Sequence, residues 1–574
     1  MLSRSLKSLA RDWYEIYKTS PVLVETFVDP EKFSGSSYRA ANWEKIGETA
    51  GRADGFANGK KSSGKKDIYV YPLNPNYKEV LCQEPARQPL SAFFKPSNPG
   101  SWMEEEFGGV EIFDERLARR LYLLAEDFYS QPGALIPQVC GGVEAKSKAA
   151  YRFFNNKLVN MEVILRPHVA ATIDRIKEHQ VVLAVQDTTS LNYTAHAAEG
   201  MGPINNTSRD KAVGILLHNT MAFSEEGLPL GLLNVQCIIR DAENRQKSKE
   251  RHQRPIEEKE SNKWLIGYEA AAEAHKASPA TQVIVVGDRE ADIYELFHKA
   301  AKDENGPKLL IRAERTRNRK VENQYLWDRI KQQEVAGYQE IYVPGKGSRP
   351  ARTARMEVKY LNFELKPPKD KQKLEAIKIC AVYTKEVNNA PEIKEPLEWM
   401  LLTTVATNSF EDACARISQY AKRWGIEVYH RTLKSGCRIE DRRLCAEKNL
   451  EACLAIDFVI AWRIYWLTIL GRETPEIPCD VFLSEDEWKV LCACASKKKI
   501  PAGTMPTLRE AVRMIAALGG FLGRKGDGEP GTTTIWRGLQ RLADITLGYR
   551  LLLNANDNCG GRGGPQFFDG LTYG

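Results

Sequence analysis

Hydrophobic and polar positions change period several times along the chain, and the changes divide it. Residues 22–27 (VLVETF) and 68–71 (IYVY) are short apolar runs of strand type. Between them lie GSSYRAANWEKIGETAGR (35–52) and a Gly/Ser/Lys segment to Lys66 that predicts a flexible loop. Residues 90–105, poor in apolar side chains, predict a linker. From Phe107 to about Lys177 the period is helical. FDERLARRLYLLAEDFYSQPG (113–133) predicts an amphipathic helix stopped by Pro-Gly. A second helix begins near Val143 and interleaves Lys146, Lys148 and Arg152 with Tyr151, Phe153 and Phe154.

The pattern then switches. VVLAV (181–185) predicts a buried strand that delivers Asp187 at its end, followed by Thr-Thr-Ser. Residues 213–223 and 228–239 predict two more strands, joined by a turn at 225–227. A charged, exposed loop over 240–262 leads to a helix from about Glu260 to Ala277. A second buried strand, 282–286, ends in Gly-Asp288-Arg-Glu and repeats the arrangement at Asp187; a helix follows over 291–302. From Leu309 to about Thr404 the period is mostly two, which predicts an all-β insertion.

Residues 411–437, EDACARISQYAKRWGIEVYHRTLKSGC, then predict one helix of about seven turns. Tyr420, Arg423, Glu427, Arg431 and Lys434 fall within about 40° of one line on it. Ile417, Ala421, Trp424 and Val428 form a second stripe, expected to be the buried seam. A carboxylate with arginines at i−4 and i+4 reads equally as a salt-bridged, solvated helix face. Residues 454–470 are the most apolar run, but Asp457 and Arg463 interrupt it, so a buried helix is expected and not a membrane span. Residues 484–555 read as helical around a glycine-rich stretch at 519–531, and the tail beyond 554 as disordered.

Composition narrows the class. At 574 residues several domains are expected. No apolar secretory segment is visible at the N-terminus, and the twelve scattered cysteines read as reduced cytosolic thiols, with neither a disulfide framework nor a zinc site. The net charge of +7 says little; its clustering says more. Arg312, Arg315, Arg317, Arg319 and Lys320 form one basic group, and Lys346, Arg349, Arg352 and Arg355 another. The insertion holds both, and they bracket one β-segment, as a groove for a DNA backbone or as solvated faces.

Two strand-end aspartates and a helical glutamate are the acids that hold two hard cations at a phosphodiester. No histidine or cysteine stands at the matching positions, which argues against zinc. The element order is that of a ribonuclease-H-like core. The bland alternative takes the acids as ordinary strand-end caps.

Asp187-Thr-Thr-Ser-Leu, Asp288-Arg-Glu-Ala-Asp and Tyr420-x2-Arg423-x3-Glu427-x6-Lys434 reproduce the DDE triad and YREK signature. In these motifs, and in AYRFFNN (150–156), EKESNKWL (258–265), Trp399 and LGGFLGRKGDGEPGTTTIWRG (518–538), the chain resembles the insertion-sequence family four transposases of Tn-five type. The resemblance covers about residues 107–550. It implies an α/β fold: a ribonuclease-H-like mixed-sheet core over 179–307 and 408–475, with a β-rich insertion over 308–407. It also implies a helical DNA-end-binding domain over 101–178 and a helical dimerisation domain over 476–555, ahead of a tail over 556–574.

By the same resemblance, Asp187, Asp288 and Glu427 are the catalytic acids and ligands of two Mg²⁺ ions, with Mn²⁺ as a substitute. Tyr420, Arg423 and Lys434 would grip phosphates, and Trp399 would stack where a flipped base had left. Arg312 matches a DNA-contacting arginine, Arg431 shares the signature face, and Asp292 is expected to be structural. The implied activity is cut-and-paste transposition through 3′-end nicking, hairpin formation and strand transfer. The implied setting is the bacterial cytosol, with a homodimer on double-stranded DNA ends and target, and no membrane. Residues 1–100 fall outside; Tyr38–Arg52 match in part the YxAANW…GxTxGRG pattern of the uncharacterised domain of Druantia anti-phage systems. A repurposed DNA-binding or defence protein, or a metal-dependent nuclease, would share the same residues.

Overall fold

The computed structural model describes residues 21–49, 65–78, 102–205, 211–241, 254–343, 352–387, 396–496 and 505–558, apart from positions 113, 318 and 322, together with residues 6, 9 and 13. Most of the expected linker at 90–105, most of the charged loop at 240–262, Lys346, Arg349 and the tail beyond 558 lie outside the described residues. The chain separates into two units, Met1–Pro89 and Leu90–Gly574.

In the first unit, β1 (Leu23–Val28), β2 (Glu44–Glu48) and β3 (Asp67–Pro72) form an antiparallel sheet with β3 in the centre. The Tyr38–Asn42–Trp43 stretch is a packed turn, entered by the short helix α1 (Ser36–Arg39). Trp43 is buried, with Tyr38 edge-on at 5.3 Å and Tyr38 in turn stacked on Tyr69 at 5.9 Å. Gly35 sits at φ +67°, where a Cβ would lie 2.4 Å from the Tyr69 hydroxyl.

The second unit opens with helices: α2 (Trp102–Phe107), α3 (Glu115–Ser130), α4 (Ile136–Val139), α5 (Glu144–Phe154) and α6 (Met161–Ile176). Asp114 caps α3, accepting from the Arg116 N–H at 2.9 Å, and Asn160 caps α6 through Val163. The central sheet follows: β4 (Val181–Asn192), β5 (Gly202–Pro203), β6 (Val213–Ser224), β7 (Pro229–Ile238), then α7 (Asn262–Ala277), β8 (Gln282–Gly287), α8 (Tyr294–Lys302) and β9 (Lys308–Arg312). After the small β10 (Lys320–Val321) and β11 (Gln324–Tyr325) come α9 (Leu326–Lys331), β12 (Gly337–Val343), β13 (Arg352–Leu365), β14 (Ile377–Glu386) and β15 (Glu398–Thr403).

The ten strands run in the order β12-β13-β14-β15-β9-β8-β4-β6-β5, with β7 also on β6. Strand β4 is parallel to β8, and β8 to β9; β6, β7 and β12–β15 pair antiparallel. Two expectations need correction. The insertion is not all-β, because α9 packs on β13 and β14, and its strands extend the core sheet through the β15–β9 pair. Nor is Asp187 at a strand end: β4 continues to Asn192 on β6 after its parallel partner β8 has stopped.

The predicted single helix at 411–437 is three segments: α10 (Phe410–Ala421), α11 (Trp424–Arg431) and a π-helical turn, Thr432–Gly436. Ser409 and Asp412 form a capping box at the start. Between α10 and α11 the backbone tightens, with i→i−3 bonds from Lys422, Arg423, Gly425 and Ile426. Gly425 permits the close approach: a Cβ there would lie 2.7 Å from the Phe223 ring.

Helix α12 (Glu447–Glu473) is long and apolar enough to cross a membrane, but it is mostly buried as the core of this unit. Its charges are neutralised inside. Asp457 takes both arms of Arg442, at 2.8 and 2.6 Å, and Arg463 lies over the Phe482 and Trp102 rings at 4.2 and 4.6 Å. Three helices close the chain: α13 (Glu485–Ser496), α14 (Leu508–Leu518) and α15 (Thr532–Asn558).

A buried ionic network ties the first helices to the sheet. Glu106 bonds His168 and receives Arg175 at 2.8 Å, while His168 Nε2 accepts the Leu232 N–H at 3.0 Å. That bond keeps His168 neutral, and burial pushes its pKa down. Burial works against the Glu106 carboxylate, but His168 and Arg175 overcome it and hold its pKa below the usual range. Glu106→Ala should therefore destabilise the protein by about 3–5 kcal/mol in chemical denaturation, because Arg175 and His168 lose their buried partner.

Candidate active site

Register sets the first two acids side by side. The parallel pairing of β4 with β8 matches Val185 to Val286, and two residues further on stand Asp187 and Asp288. Neighbouring strands are about 4.8 Å apart, so both carboxylates leave the sheet on the face of their valines. Val185 and Val286 share the core under α10 and α11. Beyond β8 the chain turns, and the Asp288 carboxylate accepts the Glu290 N–H at 2.8 Å.

Helix α11 brings the third acid. The Arg423 guanidinium bonds Glu427 at 2.5 Å and lies 3.8 Å from Asp187. Burial raises the Asp187 pKa to about 7; Arg423 opposes the shift, and the nearby charges of Asp288 and Glu427 add to it. Burial likewise raises Asp288. Burial alone would lower Arg423, but Tyr420, Asp187 and Glu427 outweigh it and hold the guanidinium charged.

The other expected residues divide into two groups. Arg312, Tyr420 and Trp399 adjoin the acids. Tyr420 is buried, pairs with the Arg312 guanidinium and meets Trp399 edge-on at 5.3 Å. Arg312 also donates to the Glu398 carbonyl at 3.2 Å. Arg431 and Lys434 follow Glu427 along the chain. Arg431 is exposed at the end of α11, and Lys434 lies in the π-helical turn, where its charge reaches His430. The five residues expected on one helix are thus spread over α10, the tightened backbone after it, α11 and the π-helical turn.

The basic groups of the insertion are largely engaged. Arg319 bonds buried Asp292 at 2.5 Å, and Arg317 donates to the Asp292 carbonyl, so Asp292 is structural as expected. Arg352 pairs with Glu386 at 2.8 Å, and Arg355 lies over Tyr338 at 4.4 Å. Among the described residues these are braces for the sheet more than a free cationic face.

Sequence reasoning missed the support beneath the acids. His430 is buried 3.8 Å from Asp187 and 3.0 Å from Asn219, the residue opposite Asp187 on β6. Burial, with Lys434 and Arg423, pushes the His430 pKa down to about 3. His218 meets Thr188 at 2.9 Å and Gln186 at 3.1 Å. Lys263 is buried beside Glu290 at 3.2 Å and bears on Asp288. Only the i, i+3 spacing of Glu427 and His430 was visible as a signal.

Two stretches of the chain match models of known domains. Residues 99–159, which include α2 to α5, match the transposase DNA-binding domain. Residues 459–557, from within α12 into α15, match the transposase Tn5 dimerisation domain. The acids thus lie between a segment similar to a transposase DNA-binding domain and one similar to a Tn5 transposase dimerisation domain. The cryo-EM structure of the piggyBac transposase synaptic complex with hairpin DNA is similar over 86% of this chain and 82% of that chain. Identity there is 10% and the TM-score 0.31.

The oxygen-only set Asp187, Asp288 and Glu427 suits a hard divalent cation in its chemistry. Among the described residues no three acid, histidine or cysteine side chains are gathered tightly enough to ligate one ion as they stand. The crowded charge has a measurable cost. A folded-state pKa raised from 3.8 to about 7 penalises folding above pH 7, and the penalty fades as pH falls toward 4. Asp187→Asn should stabilise the protein by about 2–4 kcal/mol at pH 8 in EDTA, with a smaller gain at pH 5, by urea denaturation.

Proposed function

We propose that the protein is a cut-and-paste DNA transposase with a ribonuclease-H-like core, acting in the cytosol, with Asp187, Asp288 and Glu427 as its catalytic acids. The observation that carries the reading is their convergence on the Arg423 guanidinium, from two parallel strands and a helix, between two segments of transposase type. The strand order β7-β6-β4-β8-β9, in which β6 alone runs opposite to the other four, supports the core assignment.

Two Mg²⁺ ions held by the three acids, with Mn²⁺ able to replace them, would activate the attacking oxygen and stabilise the leaving one. The chain's own residues do the rest. Tyr420, Arg312 and Arg423 form a cationic wall beside the acids, suited to the non-bridging oxygens of a DNA phosphate. Arg423 exchanges its carboxylate partners for that phosphate. Trp399, edge-on to Tyr420, offers its ring to an unstacked base. Lys434 and Arg431 hold the strand further along the helix. Water attacks phosphorus, the P–O3′ bond breaks, and a 3′-hydroxyl is freed. That hydroxyl displaces the opposite strand to give a hairpin; a second water reopens it, and the 3′-end joins target DNA by the same exchange.

Helices α3–α6 would hold the terminal inverted repeat and α15 would pair two protomers. The α15 helix leaves Leu547, Leu551 and Leu552 about 60% exposed, an apolar surface that suits a partner copy.

On a duplex ending in the inverted repeat that flanks the gene, with Mg²⁺, the protein should yield hairpin-ended fragments on a denaturing gel. Glu427→Gln should bind the duplex but make none. Binding without cleavage in both proteins would sink the proposal. Leu551→Glu with Leu552→Glu should lower the paired-end complex at least about tenfold in a native gel while single-end binding persists.

A further inference from the structure

The hydrophobic pattern places Trp424 in a buried seam with Ile417, Ala421 and Val428. Ile417 is buried, but Trp424 is 44% exposed, more than any other described tryptophan. The neighbouring Gly425 packs inward, where a Cβ would lie 2.7 Å from the Phe223 ring and 2.9 Å from the Tyr465 hydroxyl.

Its place on the helix is specific. Within α11, Trp424 and Arg431 lie about 60° and about 40° to one side of Glu427. Arg423 and His430 lie about 40° and about 60° to the other side. The second pair faces Asp187, each at 3.8 Å. Glu427 therefore divides the helix into an inner edge that closes on the acids and an outer edge. On the outer edge a guanidinium and an indole stand on nearly one line, both exposed.

We propose that this outer edge binds an unpaired stretch of DNA strand entering or leaving the catalytic centre, Arg431 taking a phosphate and Trp424 stacking on a base. A base inside a duplex has both faces covered by its neighbours, so an exposed indole selects strands whose bases are free. Trp399 is different: it is half-buried, edge-on against Tyr420. The inference rests on the transposase reading. The unpaired strand has two sources, DNA flanking the element and target DNA.

The test uses the full-length protein in EDTA, where no cleavage occurs, and fluorescence anisotropy. One probe is a duplex of about thirty base pairs with an overhang of about ten nucleotides; the other is the same length fully paired. Each is made with the flanking inverted repeat and with unrelated sequence. The wild type should prefer the overhang probe by about fivefold or more. Trp424→Ala should remove the preference, Trp424→Phe should restore most of it, and Arg431→Ala should weaken both probes alike. A preference seen only with the inverted repeat assigns the edge to flanking DNA; one seen with both sequences assigns it to target. No preference in the wild type, or one that survives in Trp424→Ala, overturns the inference while the transposase reading stands. Failure of the wild type to bind any of the four probes overturns the transposase reading itself.

Discussion

Three carboxylates cannot share a partly buried site without positive charge among them, and most of this structure follows from how that charge is supplied. Arg423 supplies it here, bonded to Glu427 and facing Asp187. Asp187 is pushed up to about 7 even with the guanidinium beside it, because burial outweighs Arg423. A further cation at these carboxylates would ease that crowding.

Holding such a site needs a stiff frame. The parallel β4–β8 register fixes the spacing of two acids, because side chains on neighbouring strands cannot slide past each other without flipping faces. The third acid depends on helix phase. The tightened backbone at 422–426 and the π-helical turn at 432–436 bound α11 at its two ends. Lys434 lies in that turn, and Trp424 is exposed.

The same frame reaches the flanking helices through buried polar contacts. Arg442 joins Asp457 of α12 to the Ala134 carbonyl, Gln540 of α15 donates to the Pro132 carbonyl at 2.6 Å, and Gly436 lies against Trp536. The end of the acid-bearing helix, the turn after α3 and the first part of α15 thus meet in one place. The two segments of transposase type and the acid-bearing helix are connected there by groups that have no water to fall back on.

Much of the site was legible in the sequence. The apolar runs before Asp187 and Asp288 mark buried strands, and the i, i+4 spacing of Arg423 and Glu427 marks a shared helix face; both depend on local periodicity, which the chain carries in itself. The asymmetry of α11 was not legible, nor was the support from His430, Asn219 and Lys263. Whether an arginine such as Arg319 contacts DNA or a buried Asp292 depends on what packs beside it. Sequence by itself determined which residues are acids, which segments are strands and which face of each is apolar. Only the tertiary structure decided that Asp187 and Glu427 meet over the Arg423 guanidinium with Asp288 near them, and that Trp424 is exposed. Burial and helix phase are set by contacts between residues hundreds of positions apart, and periodicity does not encode them.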